Sequence, residues 1–548
     1  MTGSDTTNDG ATRFPEVGIG SAGWTTRRAR RPVDNGPVPR SQRERGRSEG
    51  PGLFRRLAVV LAGVAAGLSF APRHWVVLLP LAIATLVVCA AGVRPRTGFG
   101  LGALFGTAFM LTLLPWLNVI GWYAYLPLSV LEGAAYGLVG LAVGWAGRLR
   151  FWPVWVAASW VAVEVVRDAV PFGGFPWGRL AFATEDTPVA PLLAYVGPGG
   201  VTFAVALVGT TLGWLLLGGR GRLGRGVAAL AAVTLVASAA SLHPWPVGTG
   251  RVVTVATIQG NVPGIGLDAF AQRRKVLDNH VRETLRLAQE IEAGTAKRPD
   301  VLVWPENSSD IDPYTDVSAA AAIAGAAEAV GAPLLMGAVV GDRDNHQRWF
   351  NRAIVWSATG QPGAYYDKIH PVPFGEYIPF RSLLAPHIPA LDQIPADMMP
   401  GKKPGVLTVG PVRAGVLMCF EVGYDGLMRA VVDGGADLVV VPTNNATYTG
   451  TGQLAQQFAI SRLRAIETGR YLVVASTNGI SGMIAPDGAV VARAPVERAA
   501  ILEHSVTLLT DRTPAMRLEQ PLEVGLSGLA VVAALLGAWR GRRSLEDS

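Results

Sequence analysis

Long apolar stretches separated by short polar segments dominate the first half of the chain and return near its C-terminus. Most of them approach the ~20 residues that an α-helix needs to cross the hydrocarbon core of a membrane. The pattern therefore predicts about eight transmembrane helices, seven of them before residue 245. The stretches are 53–72, 74–93, 99–120, 124–146, 151–169, 190–217, 226–243 and 521–539.

Residues 250–512 follow a different pattern, in which short apolar runs alternate with amphipathic stretches. Such alternation is typical of an α/β fold, with helices packed on a sheet. A segment of about 260 residues is long enough to bury a core of its own. The predicted strands are 252–258, 301–304, 333–340, 353–356, 414–418, 438–441 and 472–475, and the clearest predicted helices are 269–293 and 453–468.

Composition agrees with a membrane protein, because half of the residues are hydrophobic and only 16% are charged. The net charge of +7 is compatible with nucleic-acid binding. However, arginine residues gather at the ends of apolar stretches, where they orient a helix in the membrane and contact anionic lipid. We therefore expect the lipid bilayer as a partner and no nucleic acid.

The arginines also predict a topology, because they concentrate in every second loop and positive loops stay in the cytoplasm. The arginines of these loops are Arg55, Arg56, Arg94, Arg96, Arg148, Arg150, Arg220, Arg222, Arg225, Arg540, Arg542 and Arg543. This pattern places both termini inside and the 250–512 domain outside the cytoplasm. The predicted parts are a disordered basic tail (1–52), a seven-span membrane domain (53–245), the catalytic domain, a C-terminal span (520–540) and a short cytoplasmic tail (541–548).

Candidate catalytic residues follow predicted strands at the point where each strand ends. Glu306 follows 301–305, Cys419 follows 415–418 and Asn444 follows 438–443. In open α/β sheets, sites gather at the carboxyl ends of the strands. Cys419 precedes a probable helix, and a helix N-terminus lowers the pKa of a thiol. A buried structural cysteine remains the alternative.

Lys368 lies in an aromatic run that also contains Glu376. A thiolate nucleophile needs a base, and its tetrahedral intermediate needs a cation or N–H donors for the oxyanion. Glu306, Lys368 and Cys419 could supply base, oxyanion partner and nucleophile, although the first two taken singly could equally be surface residues.

Together these runs resemble the Glu-Lys-Cys triad of the nitrilase superfamily. With the predicted spans, residues 53–540 resemble bacterial apolipoprotein N-acyltransferases. The matching motifs are GGFPWG (173–178), QGNVP (259–263), WPEN (304–307), KIHPVPFGEYIP (368–379), MCFE (418–421), PTNNA (442–446) and RLRAIETGR (462–470).

The resemblance implies an α-β-β-α sandwich outside the membrane and a reaction without a cofactor. In that reaction an acyl chain moves from a phospholipid donor, through a Cys419 thioester, to the α-amino group of a diacylglyceryl apolipoprotein acceptor. Glu306 is implied as the general base and Lys368 as the oxyanion partner. The supporting residues implied are Glu376, Glu421, Asn444 and Tyr448. One departure is notable, since Asn445 and Thr447 stand where the family usually has Asp and Trp.

The 172–179 stretch is expected at the outer membrane interface. Its residues Phe175, Trp177 and Arg179 are candidates for lipid access, with an ordinary aromatic belt as the alternative. Charged residues inside apolar stretches are costly and often functional. Helical spacing predicts that Glu164 pairs with Arg167 on one helix and Arg464 with Glu467 on another.

His280 and His370 lack metal-ligand spacing, so no metal is expected. Two other functions stay open on the sequence alone. One is a membrane-anchored nitrilase-type amidase, in which water takes the thioester. The other is a non-catalytic membrane scaffold for a polyprenol-glycosyl transferase.

Overall fold

The computed structural model describes residues 50–546 except 148, 220, 246–247, 263–272, 346–347, 389–390, 392–393 and 395, with side chains described only within 52–540. The predicted tail 1–52 lies almost wholly outside the described residues, as do the side chains of 541–548. From Pro51 onward the chain forms one compact unit.

Helices occupy each of the eight apolar stretches. They are α1 (Gly50–Leu68), α2 (Leu78–Ala90), α3 (Pro95–Leu113), α4 (Trp122–Ala135), α5 (Gly137–Ala146), α6 (Trp152–Arg167), α7 (Leu193–Leu216), α8 (Arg222–Leu242) and, at the C-terminus, α14 (Ala515–Glu546). The fourth stretch holds two of these helices, α4 and α5, which meet at Tyr136.

Within the described residues, four helical segments are long and apolar enough to cross a membrane: Trp122–Ala146, Ala190–Leu216, Arg222–Leu242 and Ala515–Arg540. The other helices are shorter or less apolar. Helix α2 has 13 residues, which corresponds to about 20 Å. The prediction of about eight spans is therefore supported by length and composition for four of them.

Close helix packing in the membrane domain depends on glycine. Gly98, Gly102 and Gly106 form a stripe along one face of α3. A Cβ added at any of them would overlap backbone atoms of Gly133, Tyr136 or Gly140 on α4 and α5. Small residues at such spacing let helix backbones approach closely, which is a frequent basis of helix association in membranes.

The remaining elements lie in the segment 250–512. Its strands are β1 (Val252–Gln259), β2 (Val301–Val303), β3 (Leu334–Gly341), β4 (Arg348–Trp356), β5 (Pro362–Asp367), β6 (Asp397–Met398), β7 (Gly405–Val409), β8 (Val412–Val416), β9 (Leu438–Thr443), β10 (Leu472–Ser476), β11 (Gly482–Ile484), β12 (Val490–Arg493) and β13 (Ala500–Thr507). Its helices are α9 (Arg273–Glu292), α10 (Val317–Val330), α11 (Arg381–Leu384), α12 (Asp425–Asp433) and α13 (Gln453–Thr468).

The strands make two sheets. One has the order β13-β1-β2-β3-β4-β5, with β6 paired to β4, and the other has the order β12-β11-β10-β9-β8-β7. A shared core lies between them, in which Val303 and Leu335 of the first sheet pack with Val440 and Val473 of the second. Helices α9 and α10 cover the outer face of the first sheet, and α12 and α13 cover that of the second. This is the predicted α/β domain, with two sheets between layers of helices.

All seven predicted strands are present, and helix 453–468 has the predicted bounds. Helix 269–293 is observed as Arg273–Glu292, and residues 269–272 lie outside the described residues. Several strands were not predicted, such as β5 and β12, which are short and largely exposed.

Candidate active site

Strand direction brings the predicted triad together. Strand β5 runs in the same direction as β2, because β2 and β3 are parallel while β3–β4 and β4–β5 are antiparallel. Glu306 and Lys368 therefore leave the first sheet at the same edge. Strands β8 and β9 are parallel in the second sheet, and Cys419 and Asn444 follow their carboxyl ends. The site lies where these edges of the two sheets meet.

Glu306 is buried and held by several donors. One oxygen accepts from Lys368 Nζ at 2.9 Å and from Asn351 Nδ2 at 2.7 Å. The other accepts from the backbone N–H of Asn444 at 2.8 Å. A carboxylate fixed at both oxygens cannot rotate freely, so its direction toward the nucleophile is set before substrate binds.

Lys368 forms ion pairs with two carboxylates. Its Nζ lies 2.9 Å from Glu306 and 3.0 Å from Glu376, and its side chain is 2% exposed. Burial alone would lower the pKa of Lys368, but the two carboxylates more than compensate and hold that pKa well above its usual value. The ammonium therefore stays charged and can face a developing oxyanion.

Cys419 begins a short helical turn and has a left-handed backbone with φ of 54°. Such a conformation is strained for a non-glycine residue, and strain of this kind clusters at functional sites. Its thiol lies 3.7 Å from Gln457 Oε1.

The expectation of a lowered thiol pKa is wrong. Burial raises the pKa of Cys419 well above its usual value, Glu306 raises it further, and Lys368 opposes this only in part. The turn at Cys419 spans five residues, and a dipole that short does not overcome desolvation. The resting nucleophile is therefore a thiol that needs a base.

Asn351 is a site residue that the sequence did not reveal. It lies on β4, is 1% exposed, and its Nδ2 donates to Glu306 at 2.7 Å and to Glu376 at 2.5 Å. It thus bridges the two carboxylates that share Lys368. The only sequence signal is an amide in the middle of a strand that is otherwise partly apolar.

Glu421 joins the loop of the nucleophile to the loop of the lysine. Its carboxylate accepts from the backbone N–H groups of Met418 at 2.7 Å, Ile369 at 2.7 Å and His370 at 3.0 Å, and from the Tyr366 hydroxyl at 2.9 Å. Burial raises the pKa of Glu421 to about 7, against the opposing effects of Lys368 and these donors.

Phe175 and Trp177 reach the site. Both stack on Phe420, the residue after the nucleophile, with ring centroids 5.5 Å apart in each case. The Tyr448 ring packs edge-on against the Trp116 ring, with the ring centroids 5.2 Å apart. These rings form an aromatic wall between the membrane domain and the nucleophile, defined here as Trp116, Phe175, Trp177, Phe420 and Tyr448.

Arg179 does not reach this wall. Its guanidinium is 1% exposed and ion-pairs with Glu164, Asp168, Asp425 and Glu523. Among the described residues, Asp425, Glu519 and Glu523 are the acidic group compact enough to hold a metal ion. Arg179 already contacts two of these three carboxylates, so a guanidinium supplies the positive charge there.

The predicted pairing of Glu164 with Arg167 is wrong. Arg167 instead contacts Glu132 on α4 at 2.7 Å, while Glu164 contacts Arg179 at 3.3 Å. The predicted pair of Arg464 with Glu467 is confirmed at 2.6 Å.

Asn445, which departs from the usual family pattern, belongs to an amide network beside the thiol. Its Nδ2 donates to Gln453 at 2.7 Å and to Gln457 at 3.1 Å, and its Oδ1 accepts from Ser476 at 3.3 Å. An aspartate could not donate to the two glutamine oxygens. The asparagine is therefore matched to its neighbours in this chain.

Two family models and several solved structures are similar to parts of this chain. Residues 62–211 match the family model of the apolipoprotein N-acyltransferase N-terminal domain, and residues 254–510 match that of the carbon-nitrogen hydrolases. Among solved structures, an amidase from Nesterenkonia sp. aligns with a TM-score of 0.35 and 21% identity, covering 50% of this chain and 96% of the amidase.

Relatives named apolipoprotein N-acyltransferase align over nearly the whole chain. The protein from Mycolicibacterium smegmatis is 39% identical over 519 residues, covering 90% of this chain and 87% of the relative. That from Geobacter metallireducens is 29% identical, covering 87% and 94%, and that from Pseudomonas aeruginosa is 28% identical, covering 89% and 96%. The chain therefore belongs to the apolipoprotein N-acyltransferase family.

Proposed function

We propose that this N-acyltransferase moves an acyl chain from a phospholipid to the α-amino group of the N-terminal S-diacylglyceryl cysteine of an apolipoprotein. The acyl chain is carried between the two lipids as a thioester on Cys419. Lipoprotein N-acylation follows from family membership. The observation that carries the mechanism is the contact between Glu306 and Lys368 at 2.9 Å beside a buried thiol.

In the first half-reaction, Glu306 takes the proton of the Cys419 thiol, and the thiolate attacks the ester carbonyl of the phospholipid. The Lys368 ammonium stabilises the oxyanion of the tetrahedral intermediate. When the ester C–O bond breaks, the proton passes from Glu306 to the departing oxygen. The products are a lysophospholipid and the acyl thioester.

In the second half-reaction, the amine of the apolipoprotein attacks the thioester carbonyl while Glu306 accepts its proton. The C–N bond forms, the C–S bond breaks, and the proton returns to the sulfur of Cys419. Because the lysophospholipid leaves before the acceptor binds, the kinetics are ping-pong. Water must stay out of the site, and burial of the triad favours this.

Glu376, Glu421 and Asn444 act as supporting residues. Glu376 shares the Lys368 ammonium, and the Asn444 N–H fixes the base. Glu421 accepts N–H groups from the loops of both Cys419 and Lys368. Phe175 and Trp177 guide the acyl chain from the bilayer to the thiol, and Tyr448 lines the path of the acceptor amine. Arg179 has a different role. It forms ion pairs with Glu164 of α6, Asp425 of α12 and Glu523 of α14, and so holds these helices together.

We infer eight membrane spans, with both termini in the cytoplasm and residues 250–512 outside it. The alternation of arginine-rich loops supports this orientation, and a helix in each apolar stretch supports the number of spans. A reporter fused after Asp511 should be active only outside the cytoplasm, and one fused after Arg540 only inside. The reverse result would exclude a site facing outward.

Mass spectrometry of the protein after incubation with phospholipid tests the acyl-enzyme. One acyl chain should appear on Cys419 and be removed by neutral hydroxylamine. Cys89→Ala is the matched control, because Cys89 is the other cysteine of the chain and lies buried in α2. That variant should still be acylated, whereas Cys419→Ala should neither form the adduct nor transfer the chain. Transfer by Cys419→Ala would refute the mechanism, and free fatty acid without an adduct would indicate a hydrolase.

A further inference from the structure

The side chain of Gln456 connects the membrane domain to the catalytic domain behind the aromatic wall. It lies on α13 and is 8% exposed. Its Oε1 accepts from the indole N–H of Trp116 at 3.0 Å and from that of Trp177 at 2.8 Å. Its Nε2 donates to the backbone carbonyl of Leu113 at 3.0 Å. One amide therefore satisfies three polar groups of the membrane domain.

A glutamine is chemically suited to this position. An amide oxygen has two lone pairs, so it can accept from both indoles, while the amide nitrogen remains a donor. An indole N–H that is buried without an acceptor is costly, so each ring is held in the orientation that points its N–H at Gln456. The neighbouring Gln457 faces the nucleophile instead, with its oxygen 3.7 Å from Cys419 Sγ.

The two indoles held by Gln456 contact the immediate surroundings of the nucleophile. The Trp177 ring stacks on Phe420 with an interplanar angle of 12°, and Trp116 packs edge-on against Tyr448. Arg167 Nη2 donates to the backbone carbonyl of Trp177 at 2.8 Å, which fixes the main chain but not the ring. The ring orientation therefore depends on the hydrogen bond to Gln456 together with the stacking on Phe420.

We propose that Gln456 is a positioning residue for the first half-reaction, which fixes the Trp116 and Trp177 rings as the surface along which a long acyl chain reaches Cys419. This inference rests on the proposed acyl-enzyme and adds a residue that sets the rate of loading from long-chain lipids. An acetyl group reaches the thiol without extending along the wall. Loading from a short ester should therefore not depend on Gln456.

The test compares thioester formation on Cys419 from phosphatidylethanolamine in detergent micelles with formation from p-nitrophenyl acetate. Gln456→Met keeps the length of the side chain but removes the acceptor, and Trp177→Phe keeps a ring but removes the donor. The matched control is Trp155→Phe, because the Trp155 indole donates to the Arg150 carbonyl on an exposed part of the chain.

Gln456→Met should slow loading from the phospholipid by at least about tenfold, because it removes the acceptor of both indole N–H groups and the donor to Leu113. Trp177→Phe should slow it less, because it removes one of these hydrogen bonds. The double variant should be no slower than Gln456→Met, because that change already removes the hydrogen bond that Trp177→Phe removes. Loading from p-nitrophenyl acetate should stay at the wild-type rate in Gln456→Met, which also shows that the site is folded. Trp155→Phe should load both donors as the wild type does.

Equal slowing with both donors in Gln456→Met would show that its hydrogen bonds have only a structural role, and additive effects in the double variant would show that the residues act separately. Either result overturns the inference. Wild-type loading by Gln456→Met overturns it while leaving the acyl-enzyme intact. A wild-type protein that forms no thioester from either donor overturns both this inference and the proposed mechanism.

Discussion

Asn351 offers a sharp test of the site, because its amide bridges Glu306 and Glu376 and it has no place in the proposed proton transfers. Asn351→Leu keeps the approximate shape of the side chain and removes both hydrogen bonds, of 2.7 and 2.5 Å. Glu306 and Glu376 would then share the Lys368 ammonium without the bridging donor between them. The orientation of the base should become less well defined.

The expected loss of rate in Asn351→Leu follows from the charge of the group that accepts the hydrogen bond. A hydrogen bond to a charged group contributes about 1.5–3 kcal/mol. Loss of the bond to the base alone corresponds to about a 10–100-fold lower rate of thioester formation. Asn351→Asp should be slower still, because it places a third carboxylate between two that already share one cation.

The assay is single-turnover formation of the Cys419 thioester, followed by mass spectrometry, with thermal unfolding measured in parallel. The matched control is Asn279→Leu. Asn279 is also a buried amide, but it donates to the backbone carbonyl of Asn261 rather than to the triad. Rates for Asn351→Leu within about twofold of the wild type would refute the reasoning, since a charged hydrogen bond should contribute more than that. Equal rates for Asn351→Leu and Asn351→Asp would refute the electrostatic part.

Three further predictions concern pH, stability and the second half-reaction. Thioester formation should slow as the pH falls through about 7. Burial raises the pKa of Glu421 to about 7, and only the ionised carboxylate accepts all four hydrogen bonds. The rate of Glu421→Gln should not fall with pH in this range, as a pH–rate profile would show. Arg179→Met should lower the thermal unfolding midpoint far more than Arg462→Gln, since unpairing buried carboxylates costs about 3–5 kcal/mol. Tyr448→Ala should slow transfer to a lipopeptide amine but largely spare thioester formation, and unchanged transfer would exclude this ring from the acceptor path.

Some properties of the site could be predicted because they depend on local sequence. Strand periodicity placed Glu306 and Cys419 at strand ends, and the motif around Lys368 supplied the cation. Glu306 and Cys419 follow strands of different sheets, so their proximity depended on how the two sheets pack as well as on strand direction. Glu467 was likewise predictable as the partner of Arg464, since residues three apart on a helix share a face.

Other properties depended on contacts between elements far apart in the chain. Arg167 contacts Glu132 of α4 rather than Glu164, which lies on the preceding turn of its own helix and pairs with Arg179. Asn351 and Gln456 became visible as site residues only when β4 and α13 were placed against the triad and the membrane domain.

The amino-acid sequence by itself determined which segments are apolar helices, which are strands, and which residue types could act as base, cation and nucleophile. These follow from side-chain periodicity and from the chemistry of each residue type, which does not depend on its position in the fold. Only the tertiary structure decided the direction in which the pKa of the Cys419 thiol shifts. Desolvation raises the pKa of Cys419 against the attraction of Lys368, and burial is a property of the assembled fold rather than of any local segment.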